Sequence, residues 1–175
     1  MTIGKTQVSV EDKAVVISRT FDAPKSLLWK VWTDPAHVAK WWGPHIFTST
    51  AEIDFRVGGS FRLTMHSGAL PDYPLTGNYL EIIEGEKIVN TLDLDEHPQE
   101  WHDLVNANRP SSNGKNVSGL SWIITFQEAD GRTLLTIRSL FASNEDRDAF
   151  VKLQMGEGWS ESLDKLESLL QSLTN

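Results

Sequence analysis

The stretch Trp41-Trp42-Gly43-Pro44, preceded by Phe21-Asp22-Ala23-Pro24 and Trp32-Thr33-Asp34-Pro35 and followed by Asp54-Phe55-Arg56-Val57-Gly58-Gly59, decides how the rest of the chain is read. Two indoles stand beside a Gly-Pro pair that turns the backbone, so the segment makes a rigid apolar corner between a helix and a strand. Such a corner closes one end of a hollow.

Upstream of the corner, residues 14–21 (Ala-Val-Val-Ile-Ser-Arg-Thr-Phe) are rich in β-branched residues and end at Asp22-Ala23-Pro24, which predicts a first strand. Pro24 stands where a helix begins, and Leu27, Leu28, Val31 and Trp32 follow at helical spacing until Asp34-Pro35 starts a second short helix. Downstream the period changes to two. Phe47, Ser49, Ala51, Ile53 and Phe55 share one face of a strand, and Ser60 to His66 alternates likewise. A three-residue Val57-Gly58-Gly59 turn would set Phe55 by Phe61, Ile53 by Leu63, Ala51 by Met65 and Asp54 by Arg62, keeping all apolar residues on one face.

Leu75–Ile83 and Lys87–Leu92 form a further expected hairpin about Glu84-Gly85-Glu86. The segment from Asp93 to Asn116 reads as a loop interrupted by a short helix over 100–106, and its Pro, Ser, Asn and charge content predicts a peripheral position. Asp130-Gly131 is a strong two-residue turn signal that pairs Phe126 with Leu135, Ile124 with Ile137, Trp122 with Ser139 and Leu120 with Phe141. Ser143-Asn144 caps a long final helix whose Trp159, Leu163, Leu166, Leu170 and Leu173 form an apolar stripe. The expected architecture is α+β. A curved antiparallel sheet wraps a long C-terminal helix, with two short helices after the first strand: the helix-grip arrangement. Residues 1–12 are expected as a flexible tail and residues 13–175 as one domain.

The motifs Arg19-x-Phe21-x-Ala23-Pro24, Trp32-Thr33-Asp34-Pro35, Trp41-Trp42-Gly43-Pro44, Asp54-x-Arg56-x-Gly58-Gly59, Gly77-x-Tyr79-x-Glu81-Ile82 and Gly158-Trp159-x3-Leu163-x2-Leu166 together resemble the activator of heat-shock protein 90 ATPase homologue-like family, in its bacterial stand-alone form. The resemblance covers about residues 14–173. It implies the START-like (SRPBCC, Bet v-like) superfamily, whose members include lipid carriers, polyketide cyclases, plant ligand receptors and drug-sequestering proteins.

The chain has 175 residues, enough for one domain with a sizeable core, and a net charge of −8. Eight acids between Glu81 and Asp103 face Lys87 alone, so one segment carries most of that charge and its field repels phosphate backbones. Nucleic acid is therefore not an expected partner. The absence of cysteine fits a reducing cytoplasm, and Met1–Asp12 contains no apolar run, so neither a signal peptide nor a membrane span is expected.

The candidate site residues are Trp41, Trp42, Phe61, Met65, Trp122, Ile124 and Ile137, as the lining of an apolar cavity. Asp54, Arg56 and Arg62 read as a surface ion-pair cluster. His97, His102, Asp95, Glu96 and Asp103 are metal-ligand types at unsuitable spacing, and His37, His45 and His66 are scattered, so no metal, cofactor or catalytic set is expected. Binding of an apolar small molecule is the leading expectation. The alternatives are docking on a chaperone through the acidic segment and a cyclase-like enzyme.

Overall fold

The runs of two-residue period become strands of one antiparallel sheet in the computed structural model, which describes residues 4–174. The strands are β1 (Gln7–Glu11), β2 (Ala14–Phe21), β3 (Thr48–Ile53), β4 (Ser60–Ser67), β5 (Leu70–Ile83), β6 (Lys87–Leu92), β7 (Leu120–Ala129) and β8 (Arg132–Leu140). Their order across the sheet is β1-β2-β8-β7-β6-β5-β4-β3. Helices α1 (Lys25–Thr33) and α2 (Pro35–Trp41) follow β2, α3 (Gln99–Ala107) lies between β6 and β7, and α4 (Asn144–Lys152) and α5 (Met155–Thr174) close the chain. This is the helix-grip fold.

Local chemistry sets these boundaries. Asp34 ends α1 and caps α2 by accepting from the Ala36 N–H at 2.9 Å, with Pro35 at the first helical position. Ser143 caps α4 by accepting from the Asp146 N–H at 3.1 Å. The final helix is broken in two: Gln154 adopts φ 64°, a left-handed conformation that a helix interior does not allow, and α5 starts one residue later. Trp159, Leu163, Leu166 and Leu170 form the buried stripe of α5, whereas Leu173, one residue from its end, is 44% exposed. Arg19, with its side chain 1% exposed on β2, pairs with Asp164 at 2.7 Å and Glu167 at 2.8 Å and fixes α5 to the sheet.

The β7–β8 hairpin has the expected register, with Phe126 opposite Leu135, Ile124 opposite Ile137 and Trp122 opposite Ser139. The β3–β4 hairpin does not. Ile53 faces Phe61, Ala51 faces Leu63, Ser49 faces Met65 and Glu52 faces Arg62, a slip of two residues that leaves each side chain on its expected face. The loop lengthens because residues 58 and 59 pair with β5: the Gly58 N–H donates to Tyr79 O at 2.9 Å, and the Tyr79 N–H donates to Gly59 O at 3.0 Å. Phe55 then turns inward, edge-on to Trp29 and Tyr79. Asp54 consequently pairs with Arg56 alone, and Arg62 instead makes a two-pronged bond to Glu96 at 2.8 and 2.9 Å.

Two further expectations are corrected. Residues 7–11, expected within a flexible tail, form β1 along the whole of its pairing with β2, and residues 1–3 of that tail lie outside the described residues. Val8 and Val10 stay half exposed, so backbone pairing holds this edge strand and no burial pattern announces it. The segment from Asp93 to Asn116 is not peripheral. Asp93 bridges to Thr76, and Leu94, His102, Val105 and Arg109 are all buried.

Candidate functional site: an apolar pocket under the tryptophan corner

The corner is bolted in place from α5. Trp42 ends α2 and Gly43 takes φ 90°, where the sulfur of Met65 packs so closely that a side chain at position 43 would collide with it. Lys165 directs its ammonium at three backbone carbonyls of the corner, Trp42 O, Phe47 O and Pro44 O, at 3.3, 3.4 and 3.5 Å. Burial pushes the Lys165 pKa down, opposed by the nearby Glu161 carboxylate. Glu161 itself accepts from the His45 N–H at 3.0 Å, and Ser49 donates its hydroxyl to Trp42 O at 2.7 Å.

Behind the corner the indoles form a cluster. Trp159 of α5 lies 5.1 Å from Trp122 of β7, 5.4 Å from Trp42 and 6.3 Å from Trp32, almost parallel to the last. Trp41 donates its indole N–H to Val31 O at 2.9 Å, whereas the buried indole N–H of Trp42 has no partner among the described residues.

A pocket of about 210 Å³ opens next to this cluster. Trp42, Trp122 and Trp159 line one side. Phe141, Phe150 and Met155 line the far end, where the break between α4 and α5 lies. Leu94, His97 and Trp101 come from the segment expected to be a peripheral loop, which instead forms a wall. No Lys, Arg, Asp or Glu side chain lines the pocket among the described residues.

The seven sequence-predicted lining residues divide three ways. Trp42, Met65 and Trp122 line this pocket. Trp41, Phe61 and Ile124 line, with Trp42 and Trp122, a separate void of only about 30 Å³. Ile137 lines neither: it is fully buried between Ile17 of β2 and Ile124 of β7. Periodicity placed these residues on the inner face correctly, but an inner face is mostly core. The missed half of the pocket left a faint signal in Trp101, an indole isolated among acidic and polar neighbours.

His97 is the pocket's titratable side chain. Its Nδ1 lies 2.9 Å from Pro74 O, and its ring meets Trp101 and Tyr73 edge-on. Burial pushes its pKa down to about 4, against the raising effect of the bond to Pro74 O, with His102 adding a smaller push in the lowering direction. His97 is thus neutral at pH 7. A carbonyl only accepts, so Nδ1 carries the proton and Nε2 keeps its lone pair.

A larger open groove of about 790 Å³ runs along β3, β4 and β5, with Glu52, Asp54, Asp93 and Asp95 in its lining and Arg62 as the counter-charge. No group of three or more His, Asp or Glu is arranged to hold a metal ion among the described residues. No described helix is long and apolar enough to cross a membrane.

Residues 22–171 match the family described as Activator of Hsp90 ATPase homolog 1-like protein. The chain belongs to this family. Solved bacterial members of the same fold include a protein from Nitrosomonas europaea, 20% identical with a TM-score of 0.75, covering 95% of this chain and 99% of that one. A Rhodobacter sphaeroides protein is 19% identical with a TM-score of 0.76 over 97% and 99% of the two chains. A third, from Mycobacterium smegmatis, is 22% identical with a TM-score of 0.72 over 97% and 98%. At such identities the likeness shows the fold alone. No curated protein matches the chain.

Proposed function

We propose that this family member binds a small apolar molecule in the pocket between β7, β8, α3 and α5. The observation that carries the reading is a hollow walled by indoles, phenylalanines and methionines with no Lys, Arg, Asp or Glu side chain in its lining among the described residues. At about 210 Å³ it is smaller than the roughly 300–1,000 Å³ of drug-sized sites, which suits an occupant of one or two rings. A carboxylate ligand would lose its hydration without gaining a cation. Of the eight acids that a docking reading would use, Glu81 and Glu96 pair with Lys87 and Arg62.

The test is isothermal titration calorimetry with 2-methylnaphthalene. Binding with a dissociation constant of about 1–100 μM and a negative heat-capacity change is expected, within the range that ligand size allows. Ser162→Phe, which places a ring inside the pocket, should abolish the signal while the protein stays folded. Absence of binding by the unsubstituted protein to both 2-methylnaphthalene and 2-naphthol, or undiminished binding by Ser162→Phe, would overturn the proposal.

A further inference from the structure

We infer that the pocket selects a flat aromatic molecule carrying one hydroxyl group, a phenol-type alcohol, whose O–H is donated to Nε2 of His97. The inference rests on the pocket being a binding site and adds what the site discriminates. Its starting point is the hydrogen bond from His97 Nδ1 to Pro74 O at 2.9 Å, which fixes the tautomer from the protein side. The opposite nitrogen has no partner among the described residues and belongs to a ring that lines the pocket.

Every other polar side chain in the lining has a different capability. The indole nitrogens of Trp42, Trp101, Trp122 and Trp159 donate only. Ser139 and Ser162 carry hydroxyls that rotate to donate or accept, so they distinguish little. The sulfurs of Met65 and Met155 accept weakly. Among the side chains of the described lining residues, His97 Nε2 is therefore the only strong acceptor that cannot also donate. A ligand without a donor leaves that lone pair dry and unpaired, and this is what creates discrimination.

The same inventory says which donor group fits. A hydroxyl gives its proton to Nε2 and still offers lone pairs to an indole N–H or a serine hydroxyl, whereas an ammonium would bring a charge into a lining with no carboxylate. The ring system supplies the flat apolar body that suits a lining of indole side chains. Low protonation of His97 keeps Nε2 an acceptor across the ordinary pH range.

The experiment compares 2-naphthol with 2-methylnaphthalene, nearly equal in shape and differing in the donor, by calorimetry on the wild-type protein and on His97→Asn. The asparagine amide can still donate toward Pro74 O, but the variant lacks Nε2. Expected is a preference for 2-naphthol, expressed as the ratio of the two dissociation constants, that falls at least about fivefold in the variant, the least that an unpaired buried acceptor should produce. A second readout uses the wild type alone: the His97 Nε2 nitrogen resonance should shift on adding 2-naphthol and stay in place with 2-methylnaphthalene. If both compounds bind with a ratio unchanged by the substitution and the resonance does not move, the hydroxyl selection is wrong while the pocket remains a binding site. If neither compound binds the wild type, the binding reading fails and takes this inference with it.

Discussion

Arg109 and Asp146 meet in a salt bridge of 2.6 Å in which each side chain is only 8% exposed, joining the segment after α3 to the first turn of α4. Arg109 also donates to Asn106 Oδ1 and to Lys115 O, so one guanidinium ties the last turn of α3 and the chain leading to β7 to α4. Removing one partner strands a buried charge, so Asp146→Ala is expected to destabilise the protein by about 3–5 kcal/mol. Urea denaturation measures the loss, and hydrogen exchange should show residues 94–117 opening first. A loss under about 1 kcal/mol would mean that the pair is solvated and that the wall is held by other contacts.

Trp159 touches Trp32, Trp42 and Trp122 and is 8% exposed. Trp159→Ala should cost about 3–5 kcal/mol, as for other large buried aromatics. The same substitution enlarges the pocket, so thermal melting should show lower stability together with weaker binding of two-ring compounds.

Trp41 and Trp42 are neighbours with unequal polar bookkeeping. Trp41→Phe removes the donor to Val31 O and leaves that buried carbonyl unpaired, at a cost of about 1–3 kcal/mol beyond the lost packing. Trp42→Phe removes an N–H that has no partner among the described residues. Chemical denaturation of the two variants is expected to rank Trp41→Phe as the more damaging, and the opposite order would show that the Trp42 N–H is satisfied in solution.

His97 gives the pH profile its sign. Its folded pKa is about 4 against an ordinary 6.5, so between those values the unfolded chain binds more protons than the folded one. The contribution is complete above about pH 6.5 and is lost as the pH falls toward 4. His102 of α3 and Tyr73 of β5 are the titratable groups beside it. Melting temperatures from pH 7 to 4 should fall more steeply for the wild type than for His97→Asn, and parallel curves would refute the buried neutral imidazole.

The sheet and helices were readable because each leaves a local mark. Asp130-Gly131 fixed the β7–β8 register with a turn that tolerates only one pairing. The β3–β4 register escaped because a slip of two residues preserves every face, and the deciding contacts to Tyr79 are distant in sequence. The site was half legible. Trp42, Met65 and Trp122 lie on the patterned sheet and corner, whereas Leu94, His97 and Trp101 sit in a segment whose average polarity hides a few positions turned inward. Average composition describes what a loop's surface needs, and burial is decided residue by residue.

Five of the seven tryptophans, Trp32, Trp41, Trp42, Trp122 and Trp159, form a connected set with ring centroids 4.7–6.3 Å apart. At such separations an excited indole passes its energy to a neighbour faster than it emits. Light absorbed by any indole of the set, across α1, α2, β7 and α5, is therefore open to migration among the five before it is emitted. A quencher touching one exposed edge would darken all five together.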